Sequence, residues 1–425
     1  VDVVGVEAEL VGGECPYWGC VPSKMMIRAA NLLAEGRRIP GMAGTVTVDP
    51  DFAPVATRIR DEATDDWNDK VAVDRLVGKG GTFIRGRARL VGPDTVVVGD
   101  EQLRATRAIV VATGASASIP PIPGLAGTPY WTNREAISAT SPPRSLVVIG
   151  GGAIGAELAQ VFARFGTSVT IVEAAPELLP LDEPAAGRLL RQVFERENIN
   201  VITDAAVSAV NHDGIEFTVT VGDRVLTAEK VLVATGRHTN ITGLGLDCIG
   251  VPADARWVPV NAHLQVVPGV WAVGDITGKG AFTHVAVYQA GIAVRSILGQ
   301  PGPAADYRAL PHVTFTDPEV GAVGMTEAQA RAAGRSIRVG TAQVPSSARG
   351  WIHKAGNDGF IQVIEDIATG TLIGATSVGP VGGEVLGALA VAVHAEVPVE
   401  SLQNMIYAYP TFHRGIEDAL RDLKA

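Results

Sequence analysis

Along the chain, short apolar runs alternate with turns marked by glycine and proline and with stretches of helical period. The clearest unit spans residues 145–173, SLVVIGGGAIGAELAQVFARFGTSVTIVE. An unbroken apolar run over 145–149 reads as a buried strand. Three glycines follow, and apolar residues then recur at helical spacing to about Phe165. Gly166 stops that helix, and residues 168–173 read as a second buried strand ending on an acid, Glu173. The order strand, glycine turn, helix, strand predicts a nucleotide-binding β-α-β unit. Two more buried runs, 108–115 (AIVVATGA) and 230–236 (KVLVATG), each enter an Ala-Thr-Gly turn. Polar and aromatic turns before residues 144 and 263 mark expected domain junctions. Past Pro311 the style changes: HVTFTDPEVGAVGMTEAQARAAG predicts a strand, a tight turn, a strand and a helix beginning near Thr326. Thr326 and Gln329 have the spacing of a capping box. Expected strands over 359–365 and 372–378 and a helix over 383–394 complete an α+β tail. No internal repeat of solenoid period is present.

Composition narrows the class. At about 150 residues per domain, 425 residues suggest three domains. With 47% hydrophobic and 19% charged residues, the chain can bury a large core. Its formal net charge of −10 argues against nucleic-acid binding, which requires a basic surface. No polybasic patch suits a membrane surface, and no uncharged apolar run is long enough to span a bilayer. The opening residues VDVVGVEAEL have no basic region and no apolar h-region, so they are not read as a signal peptide. Three cysteines exclude a secreted disulfide framework, and a reducing cytoplasm is the expected location.

Gly150-x-Gly152-x-x-Gly155 stands between the strand and the helix. The first glycine permits the tight turn, the second lets the backbone approach a pyrophosphate, and the third allows close helix–strand packing. The phosphates belong at the helix N-terminus, where free amides and the dipole favour negative charge. Glu173 lies where an acid binds the adenosine ribose 2′-hydroxyl and repels a 2′-phosphate. No Arg follows in Ala174-Ala175-Pro176-Glu177, so NAD(H) is expected over NADP(H).

Cys15 and Cys20 share one short loop, GGECPYWGCVPSK. In a reducing compartment such a pair points to redox or metal chemistry, and no nearby cysteine or histidine completes a four-ligand metal set. Cys20 precedes Val-Pro-Ser-Lys, which reads as a helix start. A helix N-terminus and Lys24 both favour a thiolate. Cys248 reads as a small core residue. Asp65 and Asp66, in DEATDDWNDK, read as a charged helix face with no metal role. His284 and Tyr288 are either core residues or residues facing a cofactor.

The loop GGECPYWGCVPSK resembles the redox loop of the FAD-dependent pyridine nucleotide–disulfide oxidoreductases, the family of dihydrolipoamide dehydrogenase, glutathione reductase and mercuric reductase. The resemblance extends over the fingerprint at 150–155, the Ala-Thr-Gly strands, GVWAVGDIT at 269–277 and HVTFTDPEVGAVGMTEAQA at 312–330. It implies an α/β fold of two doubly wound Rossmann-like nucleotide-binding domains and a C-terminal α+β dimerisation domain. The implied division is 1–143 for the first part of the FAD domain, 144–262 for the NAD domain, 263–308 for the second part of the FAD domain, and 309–425 for the interface domain. It further implies that Cys20 is the thiol next to the flavin, that Cys15 attacks an external disulfide, and that Lys24 lies near flavin N5 and pairs with Glu157. Asp275 would bind the flavin ribityl chain and Glu7 the FAD adenosine ribose. Gly12, Gly13, Thr113, Gly114, Gly236 and Gly274 would line the cofactors, with Gly150, Gly152, Gly155 and Glu173 on NAD. Ala153 stands where some relatives carry an aromatic gate.

The chain departs from that family in three places. Residues 1–4 read as the first strand and Gly5-Val6-Glu7 as the end of the second, although a fingerprint and its acid are normally roughly 20 residues apart. A segment of about 25–30 residues, by the same geometry, is therefore expected to be missing after Val4. Relatives that reduce thiol disulfides use a His-Pro with a Glu five residues on. Here Tyr409 holds the His place and Arg414 the Glu place. Tyr409 is a poor base but can serve as an acid. His413 is the nearby imidazole, either a proton carrier oriented by Glu417 or a surface histidine. Finally, Pro16-Tyr17-Trp18 replaces small residues between the cysteines, and no cysteine follows Cys248, against the second pair of mercuric reductases.

The expected activity is transfer of electrons from NADH through FAD to the Cys15/Cys20 disulfide and on to a disulfide substrate, by a homodimer. One alternative is an NAD(P)H:quinone or dye reductase, or transhydrogenase, acting from the flavin itself. Another is a non-catalytic nucleotide-binding protein.

Overall fold

A computed structural model describes residues 2–424. The chain divides into two compact units. The first comprises the residues up to Pro22, Thr57–Ser118 and Gly236–Tyr307. The second comprises Ser23–Ala56, Ile119–Thr235 and Arg308 onward.

In the first unit, strand Val4–Glu7 runs parallel to Thr82–Arg85, with Val4 opposite Thr82 and Glu7 opposite Arg85. This continuous ladder corrects the expectation that Val4 and Gly5 belong to different strands. Residues 4–7 form one strand, and Val1 lies outside the described residues. Strand Ile109–Val111 is parallel to Val270–Ala272, which pairs antiparallel with Gln265–Val267. A meander of Ala88–Gly92, Thr95–Val98 and Glu101–Arg104 follows the Val4–Glu7 sheet in sequence. Leu90, Ile109, Val111, Val258, Val270 and Ile276 form the core that joins these pieces.

The second unit carries a parallel sheet in the order Asn200–Ile202, Ser168–Val172, Ser145–Ile149, Lys230–Val233. Its strands are Val/Ile-rich and buried on both faces, as parallel strands must be. Helix Ala153–Arg164 ends at Gly166, whose φ of 97° favours glycine. An antiparallel sheet of Val207–His212, Phe217–Val221 and Arg224–Ala228 caps the parallel one. C-terminally, five antiparallel strands are ordered Pro311–Thr314, Glu319–Gly324, Thr371–Gly379, Phe360–Asp366, Ile337–Gln343. Helices Gly382–His394 and Gly415–Arg421 pack on this sheet through Leu386, Leu389, Ala419 and Leu420. The Thr326/Gln329 capping box is formed in both directions, at 3.2 and 3.0 Å.

The chain passes from the second unit to the first between Thr235 and Gly236. The cause is pairing: Lys230–Val233 completes the parallel sheet, and the next strand, Arg237–Thr239, pairs with Ala115–Ala117. Among the described residues no helix is long and apolar enough to cross a membrane.

Candidate functional site

The redox loop is built by glycine punctuation. Gly12 and Gly13 take φ of 115° and 70°, and Glu14–Tyr17 then forms one helical turn. Trp18 N–H donates to the Glu14 carbonyl at 2.7 Å. A Cβ on Gly19 would lie 3.3 Å from that same carbonyl oxygen and 3.6 Å from Cys15 Cα, so the return is tight. Helix Cys20–Arg38 starts at Cys20, as its sequence predicts. Cys15 and Cys20 are hydrogen-bonded side chain to side chain, and Cys20 Sγ lies 3.4 Å from Thr283 Oγ1 at the start of helix Thr283–Ile297. The bond from Cys20 and then burial push the Cys15 thiol far above the usual cysteine range. Cys20 sits exposed at the start of its helix, a position that favours a thiolate.

Around the pair, the first unit gathers backbone turns. The neighbouring parallel strands Ile109–Val111 and Val270–Ala272 lead into Thr113-Gly114 and Gly274-Asp275 at their C-terminal ends, the edge where open α/β sheets bind ligands. Thr113 Oγ1 donates to the Asn240 carbonyl at 2.7 Å, and the Asn240 side chain donates back to the Thr113 carbonyl at 3.0 Å. Gly274 N–H donates to Gln289 Oε1 at 2.6 Å. Burial raises the Asp275 carboxyl above its usual range. Glu14 adds to that rise, and Arg237 opposes it. Arg237 pairs with Glu14 at 3.2 Å and donates to the Ala115 carbonyl. Gly236, with φ of 115°, accepts from Ser118 N–H. Glu7, at the end of its strand, accepts from Glu9 N–H at 2.8 Å. Turns and a half-buried carboxylate at a sheet's C-terminal edge fit a flavin.

In the second unit the glycine fingerprint has the geometry a dinucleotide needs. A Cβ on Gly150 would strike the Ala234 carbonyl, and one on Gly155 would strike the Gly150 carbonyl. Gly152 caps the helix with no side-chain bond, which leaves the first-turn amides open to an anion. Glu173 is buried. Its two oxygens accept from Gly151 N–H at 2.6 Å and Ala175 N–H at 2.7 Å, which fixes it at the strand end. These residues fit a dinucleotide.

On the same helix, Glu157 is only 6% exposed and accepts from Lys24 Nζ at 2.8 Å. Its other oxygen accepts from Phe315 N–H at 2.8 Å, and the Lys24 ammonium lies 4.7 Å from the Phe315 ring centroid. The buried carboxylate thus has both a cation and an amide.

The C-terminal candidates are not brought to that ion pair. Tyr409 is 70% exposed, with the Arg414 guanidinium 5.7 Å from its ring centroid. His413 lies beside the Tyr407 ring. Glu417 does not orient His413. It takes Arg414 at 3.1 Å and also holds Arg421, because guanidinium forks outcompete an imidazole for it.

Other expectations are corrected. Cys248 is exposed on a short 3₁₀ turn, Leu246–Ile249, whose buried faces are taken by Leu246 and Ile249. Asp65 and Asp66 are not on a helix face. They follow a π-helical turn, Ile59–Ala63, and have φ of 49° and 53°. Among the described residues no acidic, histidine or cysteine cluster suits a metal. His284 and Tyr288 are exposed, so core packing does not account for them. His284 stacks on Phe282, and Tyr288 OH accepts from Asp306 N–H. Sequence reasoning missed Thr283, Arg237, Gln289 and Phe315. Each acts through a contact with a residue far away in the chain, so no local spacing announces it.

The sequence matches the family "Pyridine nucleotide-disulphide oxidoreductase" over residues 1–290, and that family's dimerisation domain over 310–420. It is 34% identical to a mercuric reductase of Acidithiobacillus ferrooxidans, covering 99% of this chain and 78% of that one. It is 33% identical to a dihydrolipoyl dehydrogenase of Chlorobaculum tepidum, covering 98% and 91%. The structure superposes on the HOCl-induced flavoprotein disulfide reductase RclA of Escherichia coli with a TM-score of 0.84 at 26% identity, covering 100% and 93%. The chain belongs to the pyridine nucleotide–disulphide oxidoreductase family. It is an α/β NAD(P)H-dependent flavoprotein oxidoreductase that uses FAD.

Proposed function

We propose that this enzyme uses NADH to reduce a disulfide substrate through Cys15 and Cys20. The observation that carries the reading is the close thiol pair, with Cys20 opening a helix beside Thr283. FAD, when bound, supplies hydride acceptance from NADH and two-electron delivery to the pair. The Gly150–Gly152–Gly155 cradle and Glu173 hold NADH, and the carboxylate of Glu173 disfavours a 2′-phosphate. Asp275, Glu7, Gly12, Gly13, Thr113, Gly114, Gly236 and Gly274 hold the flavin, and Lys24, fixed by Glu157, supplies a positive charge to it.

Two electrons and one proton open the Cys15/Cys20 disulfide to one thiol and one thiolate. With the proton on Cys20, the Cys15 thiolate attacks one sulfur of the external disulfide. A mixed disulfide forms and the first product thiol leaves with a proton. Cys20 then attacks Cys15 Sγ, expels the second product thiolate, which takes up a proton, and restores the internal disulfide. Tyr409 of a second copy is the proton donor to the leaving thiolates in a homodimer, and the cytoplasm is the working compartment.

One observation favours a second reading, direct reduction of a quinone or dye from the flavin. Arg414 stands where a carboxylate is needed and is itself bound to Glu417, so no carboxylate–imidazole couple supports Tyr409. Anaerobic NADH titration of the full-length protein tests both. A long-wavelength absorbance band on two-electron reduction, absent in Cys20→Ser, supports the thiol route. Simple bleaching of flavin absorbance in both proteins supports the direct route.

A further inference from the structure

Only Pro16, Tyr17, Trp18 and Gly19 separate the two cysteines, and two of these four are gripped by residues outside the pair. Tyr17 is buried and donates its hydroxyl to the Val11 carbonyl at 3.2 Å. Trp18 stacks on Trp67, with ring centroids 5.3 Å apart and planes 20° from parallel. Trp67 comes from a segment that contains no glycine, yet Asp65, Asp66 and Trp67 take φ of 49°, 53° and 55° in succession. Side chains rarely adopt this left-handed conformation, and a run of three persists only where its surroundings over-determine it.

Those surroundings are specific. Thr64 is 1% exposed, its hydroxyl donates to the Ile59 carbonyl at 3.0 Å, and it accepts from Trp67 N–H at 3.3 Å. Asp66 N–H reaches the Arg60 carbonyl at 2.7 Å, and Asn68 N–H the Thr64 carbonyl at 3.0 Å. Trp67 Nε1 is buried with no hydrogen-bond partner among the described residues. The indole is therefore placed for its face, at the expense of its donor. Two residues on, Asp69 accepts from Val11 N–H at 2.7 Å and is held by Arg85. Val11 leads directly into Gly12-Gly13 and the first helical turn. The segment thus touches the loop on both sides of Cys15, by a ring at Trp18 and by a carboxylate at Val11.

We propose that residues 64–69 are a brace that keeps the redox loop closed, with Trp67 as a positioning residue that sets the thiol–disulfide equilibrium of Cys15 and Cys20. The proposal rests on the reading of that pair as the redox couple. The brace holds the reduced sulfurs in register, so each thiol finds the other at a high effective concentration. Without it the loop opens, and the dithiol gains freedom that the disulfide does not have.

The test equilibrates the FAD-reconstituted full chain with buffers of reduced and oxidised dithiothreitol. In this exchange the protein pair gives up two electrons and two protons to the cyclic dithiothreitol disulfide, which opens to its dithiol. Acid quenching, alkylation and mass spectrometry count the closed pair. For Trp67→Leu we expect the equilibrium constant for closure to fall about tenfold, an upward shift of about 30 mV for this two-electron couple. Trp67→Phe, which keeps a ring and lacks Nε1–H, stays near the wild type. If Trp67→Leu does not fold by circular dichroism, Trp18→Leu removes the stack from the other partner and is expected to give the same fall. A folded Leu variant with unchanged equilibrium overturns the brace, as does a Phe variant that falls as far as the Leu variant. A wild-type pair that never closes overturns instead the reading of Cys15 and Cys20 as the redox couple.

Discussion

The nicotinamide fingerprint and the thiol pair both lie at helix N-termini, but they are assembled in different ways. Gly150, Gly152, Gly155 and Glu173 lie within one β-α-β unit; Gly150 and Gly155 answer to backbone carbonyls in or beside it, and Gly152 caps its helix. The loop that carries the thiol pair is held by residues far apart in the chain: Val11 by Asp69, Glu14 by Arg237, Trp18 by Trp67 and Cys20 by Thr283. A cradle for a common nucleotide can be local because phosphate recognition needs only amides and a dipole. A loop that places two sulfurs side by side needs contacts from several directions.

That contrast can be broken most forcefully at the sulfurs. Cys20→Ser is expected to reduce NADH-dependent disulfide reduction to background while leaving NADH binding intact. Fluorescence titration with NADH beside the activity assay checks this, and retained turnover would move the chemistry to the flavin. Next comes the local cradle. Gly155→Ala forces the helix away from the Gly150 carbonyl and is expected to cost about 1–3 kcal/mol through overpacking. It should weaken NADH binding without changing the rate at which small alkylating agents modify Cys20. Calorimetric Tm and alkylation kinetics separate the two regions, and altered Cys20 reactivity would show that they are not independent.

Glu157→Gln sharpens the comparison, because Glu157 lies in the local unit yet serves a residue of the redox helix. The amide still accepts from Phe315 N–H but no longer pairs with the Lys24 ammonium. The expected loss is about 2 kcal/mol, reduced because Lys24 is partly exposed. Urea unfolding of the variant measures it, and a stability equal to the wild type would mean that the pair contributes nothing. The smallest effect is expected at Asp275. Burial raises its carboxyl, so the folded state holds that proton more tightly than the unfolded chain. Its contribution is most favourable below the usual carboxylate range, near pH 3.9, and is lost as pH rises through the elevated folded value. Asp275→Asn should therefore raise the Tm of the flavin-free protein at pH 7 and lower its affinity for FAD. An unchanged Tm would remove the burial argument.

The reach of sequence reasoning follows the same line. The strand Ser145–Ile149, the helix stop at Gly166, the helix start at Cys20 and the capping box at Thr326 were legible because neighbours in the chain dictate them. The Lys24/Glu157 contact was legible only through family resemblance. Asp65 and Asp66 were misread as a helix face because nothing in DEATDDWNDK signals a left-handed run. Its cause is Thr64 below and Trp18 above, contacts that periodicity does not encode. Cys248 was misread as core because the short 3₁₀ turn buries Leu246 and Ile249 and turns Cys248 outward with Asp247.

By itself the sequence determined that this protein has a dinucleotide cradle and a close pair of cysteines opening a helix. Glycine turns, caps and apolar periods act over a few residues, and their energetics are nearly the same in any fold. The tertiary structure decided which thiol is exposed, which carboxylates are buried, and what packs against the redox loop. Those outcomes depend on distances between residues far apart in the chain, and electrostatics and packing read distance in space rather than separation in sequence.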